Sequence, residues 1–150
     1  MKRIIYLVLS CMLSGSVVAA GPTYPLAKEN IVKVYDGDTI MFVDPECPEI
    51  LCGKEISVRL SGFDTPEIRT SCVAEKQLAI EARDYVKRRI DRGRNIEIRD
   101  TSRDRYGRLL GYLFIDGKNI APEMIQKGYA REYHGEARVE WCDKDGELIY

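Results

Sequence analysis

The chain has 150 residues, with 23 Lys and Arg side chains against 24 Asp and Glu, and a formal net charge of −1. This length predicts a single domain, and the charge balance argues against a protein that coats nucleic acid through overall positive charge. Residues 1–20 contain Lys2 and Arg3 but no acid, so the remainder of the chain would carry a net charge of −3 (21 basic against 24 acidic residues).

The first twenty residues, MKRIIYLVLSCMLSGSVVAA, have the pattern of an export signal. A basic start is followed by a mostly apolar run over Ile4–Leu13 and then by small residues suitable for cleavage. The apolar run is too short to span a bilayer as a permanent helix. We therefore expect residues 1–20 to be a signal peptide and residues 21–150 to be one exported domain, periplasmic or secreted, without a membrane anchor. The alternative is a lipoprotein anchored at Cys11.

Five segments have the composition and alternation of β-strands. The first two are joined at Asp36-Gly37, which is a strong hairpin signal. A Pro-containing loop separates the second from the third, and Pro66 ends regular structure soon after the third. The predicted strands are Ile31–Tyr35, Thr39–Val43, Glu55–Leu60, Asn95–Asp100 and Leu109–Ile115.

One long helix is predicted over Ala74–Ile90, where apolar residues recur every four positions, and Gly93 should end it. Pro122 suits the first turn of a short second helix that ends near Gly128. Glu136–Cys142 is expected to form a last helical turn. This order of elements predicts an α+β fold, built on a five-stranded OB-type β-barrel with two to three helices.

Four cysteines follow the leader, and an even number in an exported chain indicates disulfides, with three possible pairings. Cys47 and Cys52 flank a Pro-containing loop and could close a small ring, which would leave Cys72 and Cys142 to close a long one. A zinc site with four thiolates is the alternative, but the chain has no C-x-x-C pair. We expect Cys47–Cys52 and Cys72–Cys142 bonds, the second tying the C-terminal region to the loop before the long helix.

Acidic residues lie at the ends of predicted strands in two motifs, DGDT at 36–39 and RLSGFDTPE at 59–67. Asp38 and Asp64, converging with a backbone carbonyl, would form a hard oxygen site suited to Ca²⁺ or Mg²⁺. Waters would complete the shell, and Glu67 could take a proton from one of them. Each motif taken alone is more simply a turn.

Arginines accompany these acids. Arg59 and Arg108, the latter in the motif DRYGR, are permanently charged forks that match phosphate oxygens. Arg83–Arg108 contains ten basic and five acidic residues, a run that alone would be a solvated helix face. With the motifs beside it, we expect it to bind phosphates, with Arg103 and Arg105 contributing. A metal, a base and two arginines together indicate phosphodiester hydrolysis.

Four segments in this order, VYDGDTI, VRLSGFDTPEIR, DRYGRLLGYLFIDGKNI and MIQKGYA, resemble the staphylococcal nuclease (thermonuclease) family. The short form with Cys72 and Trp141-Cys142 is similar to a cysteine-containing bacterial branch of that family. The resemblance covers about Ile31 to Cys142. It implies an OB-type barrel with helices, calcium dependence, and cleavage of DNA and RNA with little sequence preference, leaving a 3′-phosphate.

The resemblance also implies residue roles. Asp38, Asp64 and the Thr65 carbonyl would hold Ca²⁺, and the catalytic positions would be Arg59, Glu67 and Arg108. Tyr106 corresponds to a tyrosine near the bound nucleotide, Arg105 lies beside it, and Tyr133 is an approximate counterpart of a second tyrosine. His134, the only histidine, is expected to be an exposed loop residue.

The sequence thus predicts an exported, calcium-dependent nuclease, monomeric, acting on DNA and RNA. The main alternative is a non-catalytic OB module that binds single-stranded nucleic acid, and another is a disulfide-stabilised interaction domain. The presence of Glu67 with both arginines disfavours the first alternative, and the paired aspartates disfavour the second.

Overall fold

A mixed β-sheet forms the frame of the molecule in this computed structural model, which describes residues 21–45 and 55–149. Within those residues there are nine strands and two α-helices. The strands are β1 (Thr23–Leu26), β2 (Ile31–Asp36), β3 (Thr39–Val43), β4 (Glu55–Leu60), β5 (Gly62–Asp64), β6 (Ile96–Arg103), β7 (Leu109–Ile115), β8 (Lys118–Asn119) and β9 (Arg131–Tyr133). The helices are α1 (Val73–Arg92) and α2 (Ala121–Gln126).

The strand order in the main sheet is β1-β6-β7-β4-β3-β2, with β8 also paired to β7. Strands β2, β3 and β4 form an antiparallel meander, whereas β4 and β7 are parallel, with Val58 opposite Leu109. The five strands predicted from the sequence are β2, β3, β4, β6 and β7. The parallel pairing of the third of these with the fifth is the OB-type arrangement, so the α+β, OB-like prediction is confirmed.

Four strands are additional to the predicted five. Strand β1 lies in the Pro-containing segment before Ile31 and pairs with β6, where Leu26 is opposite Ile96 and both are buried. The other three additional strands have two or three residues each, and β5 pairs with β9 in a separate small sheet. Strands this short contain too few alternating positions for the sequence to reveal them.

Helix α1 packs one face against the sheet, and Cys72 caps its start by accepting a hydrogen bond at Sγ from the Glu75 N–H at 3.4 Å. The predicted apolar stripe included Ala74 and Leu78, which are only half-buried. The first turn instead directs Glu75 inward, and the buried face continues through Ala79, Ala82, Val86 and Ile90. Helix α2 has Pro122 in its first turn, as predicted.

The predicted helical turn over Glu136–Cys142 is wrong, because this segment is irregular. Arg131 Nη1 donates to the Glu140 carbonyl at 3.0 Å, and the Arg131 guanidinium carbon lies 3.9 Å from the centre of the Trp141 ring. The Trp141 carbonyl accepts a hydrogen bond from the Ile149 N–H at 3.0 Å. These long-range contacts hold this part of the backbone in its irregular path.

The hydrophobic core lies between the sheet and the two helices. Its fully buried members are worth about 1.5–3 kcal/mol each in transfer free energy, and they include Ile40, Val58, Leu60, Phe63, Val86, Leu113 and Met124. No helix in the described ranges is long and apolar enough to cross a membrane.

Candidate active site

The turn between β2 and β3 is docked into the protein and is not a simple solvent-exposed turn. Asp38 is 2% exposed, and its Oδ2 accepts hydrogen bonds from the backbone N–H and the hydroxyl of Thr65, both at 2.9 Å. A Cβ on Gly37 would lie 2.6 Å from Thr65 Cγ2 and 3.0 Å from Ala82 Cβ, so only glycine fits without displacement. Asp36 is also buried, and burial raises the pKa of its carboxyl group.

Arg59, near the end of β4, joins the two aspartates of the predicted metal site. Its Nη2 lies 2.6 Å from Asp64 Oδ1, and its Nη1 contacts Asp38 Oδ2. All three side chains are buried, and burial lowers the pKa of Arg59 while the charge of Asp64 opposes that shift. Charges removed from water in this way are stable only when they are paired. We call Asp38, Arg59 and Asp64 the buried charge cluster.

The donor chemistry of this cluster fits a hard divalent cation. The carboxylates of Asp38 and Asp64 converge on one guanidinium group, and carboxylate oxygens are the ligands that Ca²⁺ prefers. Among the described residues there is no group of three or more His, Cys, Asp and Glu side chains suited to a metal. A cation held by these two aspartates would therefore need water or backbone oxygens to complete its shell, which suits Ca²⁺ or Mg²⁺ and does not suit zinc. The role of the Thr65 carbonyl stays a prediction.

Glu67 lies in the loop after β5, and its backbone is held by a second, buried glutamate. The Glu67 N–H donates to Glu75 Oε1 at 3.0 Å, and the Thr70 hydroxyl donates to Glu75 Oε2 at 2.6 Å. Glu75 is 8% exposed, whereas the Glu67 side chain is 41% exposed. The loop is thereby fixed while the Glu67 carboxylate remains accessible to water, as a general base requires.

The DRYGR motif forms a tight turn between β6 and β7, organised by Asp104. Arg108 Nε lies 2.7 Å from Asp104 Oδ2, and the N–H groups of Tyr106 and Arg108 donate to Asp104 Oδ1 at 2.8 and 2.9 Å. Desolvation opposes the effect, but these bonds hold the pKa of Asp104 below its ordinary value of 3.8. Tyr106 is 72% exposed, and the guanidinium carbon of Arg105 lies 5.0 Å from its ring centre.

A cavity of about 1070 Å³ brings these separate motifs together. The Arg59 guanidinium carbon also lies 5.9 Å from the ring centre of Tyr133, in β9. Asp64 and Thr65 lie against the cavity residues Arg59 and Asp38. The predicted residues on its wall are Asp38, Arg59, Glu67, Arg105, Tyr106, Arg108 and Tyr133. His134 is exposed, as expected, and its ring contacts Glu132 at 3.0 Å.

Arg138 lies on the same wall and was not predicted from the sequence. Its Nη2 lies 2.8 Å from Asp64 Oδ1, and its Nη1 contacts Glu67 Oε1. Burial disfavours its charge, but the hydrogen bond to Glu67 and the charge of Asp64 outweigh burial and raise the pKa of Arg138. A single arginine in an irregular segment carries no sequence signal for this position, because only the tertiary structure places it beside Asp64 and Glu67.

A disulfide joins Cys72 to Cys142, with their Cα atoms 6.6 Å apart, as the sequence predicts. It connects the residue that caps α1 to the segment that carries Arg138. The predicted partners Cys47 and Cys52 lie outside the described residues, so their bond stays a prediction, as does any role for Cys11.

An OB-like fold that places paired aspartates, a glutamate and arginines around one cavity is characteristic of one class of proteins, and comparison with known proteins identifies that class. The family model described as "Staphylococcal nuclease homologue" matches residues 57–147, which is more than half of the chain. The chain therefore belongs to the staphylococcal nuclease family.

Two relatives illustrate the similarity. The thermonuclease of Staphylococcus hyicus is 29% identical over 126 residues, which cover 79% of this chain and 70% of that protein. Endonuclease YncB of Bacillus subtilis (strain 168) is 32% identical over 124 residues, which cover 79% of this chain and 54% of that protein. The chain thus spans just over half the length of the second relative.

Proposed function

We propose that this protein is a calcium-dependent nuclease that hydrolyses phosphodiester bonds in DNA and RNA with little sequence preference. The observation that carries the proposal is the single cavity in which the buried charge cluster meets Glu67 and Arg108. The names of the relatives, a thermonuclease and an endonuclease, support the same class of reaction.

Different residues of the cavity bind different parts of the substrate. Arg59 and Arg108 donate hydrogen bonds to the phosphate oxygens from two sides of the cavity. Tyr106 and Tyr133 offer aromatic faces on which nucleotide bases stack without regard to sequence. Ca²⁺, when bound by Asp38 and Asp64, supplies positive charge beside the phosphate.

Glu67 accepts a proton from the water whose oxygen attacks phosphorus. As the new P–O bond forms, the bond to the 5′-oxygen breaks, and that oxygen keeps the electron pair and takes a proton from solvent. The products are a 3′-phosphate and a 5′-hydroxyl. Arg108 stabilises the negative charge that accumulates on the phosphate oxygens during this exchange.

The test is digestion of single- and double-stranded DNA and RNA with calcium, with a chelator, and with calcium restored after chelation. We expect cleavage in the first and third conditions only. Undiminished cleavage after exhaustive chelation would refute the calcium requirement. Tight binding of all four substrates without cleavage in calcium would show a non-catalytic binding module.

Export of a monomeric protein is part of the proposal. The leader-like first twenty residues and the Cys72–Cys142 bond both support it, because disulfides persist in oxidising compartments. Cell fractionation with intact-mass measurement should find a monomer that begins near Gly21 outside the cytoplasmic membrane. A full-length chain with free thiols in the cytoplasm would contradict this.

A further inference from the structure

Arg138 reaches the cavity from the segment 134–149, which we call the C-terminal segment. It contacts Asp64 Oδ1 at 2.8 Å, the same oxygen that Arg59 Nη2 approaches to 2.6 Å. One carboxylate oxygen therefore carries two guanidinium groups. Their exposure differs, because the Arg138 side chain is 47% exposed and that of Arg59 is 9% exposed. Arg138 is the one of the two that can change partners.

Arg138 differs from the ordinary surface ion pairs of this molecule. Lys87–Asp91, for example, joins residues four apart on one helix face. Arg138 instead joins the end of the domain to Asp64 and Glu67, two residues of the proposed reaction. A pair that served only stability would keep a positive charge on Glu67 Oε1 throughout the reaction. The contact with Arg138 occupies Glu67 Oε1 and weakens the carboxylate as a base, so Glu67 would accept a proton more readily once Arg138 has turned away.

Long-range contacts hold the chain before and after Arg138. Before it, β9 ends at Tyr133 and pairs with β5, and the contacts after it come from the C-terminal segment. Cys142, four residues further on, is bonded to Cys72 in front of α1. Arg131 donates to the Glu140 carbonyl and also contacts the Ile149 carbonyl. The backbone around Arg138 is therefore fixed, and the long side chain supplies the freedom to turn within the cavity.

We infer that Arg138 is a third phosphate-binding arginine of this site and that the Cys72–Cys142 disulfide holds it there. The inference rests on the proposed nuclease function and deepens it. In the free protein Arg138 neutralises Asp64 and Glu67. When substrate enters, its planar guanidinium turns to a phosphate oxygen, which releases the Glu67 carboxylate for the attacking water.

The first test compares three variants, Arg138→Gln, Arg138→Lys and Lys144→Gln. Lys144 is an exposed cation on the same segment outside the cavity, so its variant controls for net charge. Binding of a single-stranded DNA oligonucleotide is measured by anisotropy in chelator over a range of salt, and KM and kcat are measured in calcium.

Arg138→Gln should weaken binding roughly tenfold, as expected for one charge-assisted hydrogen bond. It should also lower the slope of log K against log salt by about 0.7, the value of one phosphate contact on a single strand. KM should rise by a similar factor. Arg138→Lys should keep the slope and recover part of the affinity, and Lys144→Gln should match the wild type.

The second test removes the disulfide with Cys72→Ser/Cys142→Ser, alone and combined with Arg138→Gln. Serine keeps a good helix cap at position 72. If the disulfide acts through Arg138, its removal should weaken binding in the wild-type background and add little in the Arg138→Gln background. Additive losses would overturn the link between disulfide and arginine.

The outcomes separate this inference from the proposed function. If the wild type binds and cleaves DNA while Arg138→Gln changes only the melting temperature, Arg138 is structural and the inference fails alone. Tighter binding or faster cleavage by Arg138→Gln would also overturn it, because Arg138 would then obstruct the site. A wild type that neither binds nor cleaves would refute the proposed function itself.

Discussion

Arginine–aspartate pairs hold two sides of the cavity, and they do so under opposite physical conditions. Arg59 is buried between Asp38, in the turn between β2 and β3, and Asp64, at the end of β5, which lie 21 and 5 positions away. Arg108 is 52% exposed and pairs with Asp104 four positions earlier in the same turn. The first pairing depends on the folded sheet, which brings Asp38 to Arg59, whereas the second is local and largely exposed to water. Similar charge pairs should therefore contribute differently to stability and to catalysis.

The largest contrast should come from Arg59→Gln against Arg108→Gln. Loss of Arg59 leaves the Asp38 carboxylate buried without its cation and leaves Asp64 with only the half-exposed Arg138, so the free energy of unfolding should fall by about 3–5 kcal/mol. Loss of Arg108 should leave stability unchanged within error, because exposed pairs contribute little. Urea denaturation in calcium-free buffer measures both values. An equal loss of unfolding free energy in the two variants would show that the buried and the exposed pairs contribute equally to stability.

Glu67→Gln should separate activity from stability. Turnover should fall by roughly 10²- to 10⁴-fold, the usual effect of losing a positioned base. Stability should be nearly unchanged, since the Glu67 backbone, not its carboxylate, is held by Glu75. Full activity in the folded variant would remove Glu67 from the mechanism.

Replacement of the disulfide tests whether the C-terminal segment, like the Arg59 pairs, depends on long-range contacts for its stability. Residues 72 and 142 are separated by 70 positions, and closing such a loop stabilises by up to roughly 4 kcal/mol in the chain-entropy model. Cys72→Ser/Cys142→Ser should lower the melting temperature accordingly. Peptide mapping under non-reducing conditions fixes the pairing, and a crossed bond such as Cys47–Cys142 would contradict it.

The smallest effect should be the pH response of the exposed turn. The pKa of Asp104 is held below 3.8 by hydrogen bonds from Arg108 and Tyr106 against desolvation. Its contribution to stability is therefore present above that value and lost as pH falls through the lower, folded-state pKa. An NMR titration should show a midpoint below 3.8, moving upward in Arg108→Gln. An unchanged midpoint in that variant would show that Arg108 does not hold Asp104.

The sequence predicted the parts of the molecule whose signals are local. Alternating residues marked five strands, and Gly and Pro marked the turns, so the OB-like order followed. The buried face of α1 was predicted less accurately, because the four-residue spacing did not reveal that Glu75 turns inward and holds the Glu67 loop. Strand β1 was missed because its Pro-containing sequence has little alternation and is stabilised by pairing with β6.

Most residues of the candidate site could be predicted because they lie within short motifs that are recognisable in the sequence. Asp38, Arg59 and Glu67 lie at or just beyond strand ends, and the OB-like fold brings them to one cavity. Arg138 could not be anticipated, since nothing within a few residues of it indicates a partner about seventy positions away. The helical turn predicted over 136–142 was wrong for the same reason, because distant contacts decide that backbone.

The parallel pairing of β4 with β7 has a consequence for how the protein acquires activity. Val58 meets Leu109, 51 positions later, so this ladder requires the closure of a long loop and costs more chain entropy than a hairpin does. Hairpins such as β2–β3 close within microseconds, and non-local ladders close much later. Arg59 and Arg108 lie directly beside this pairing. A partly folded chain with intact hairpins but without this pairing would therefore be inert, which makes enzymatic activity a sensitive reporter of the pairing between β4 and β7.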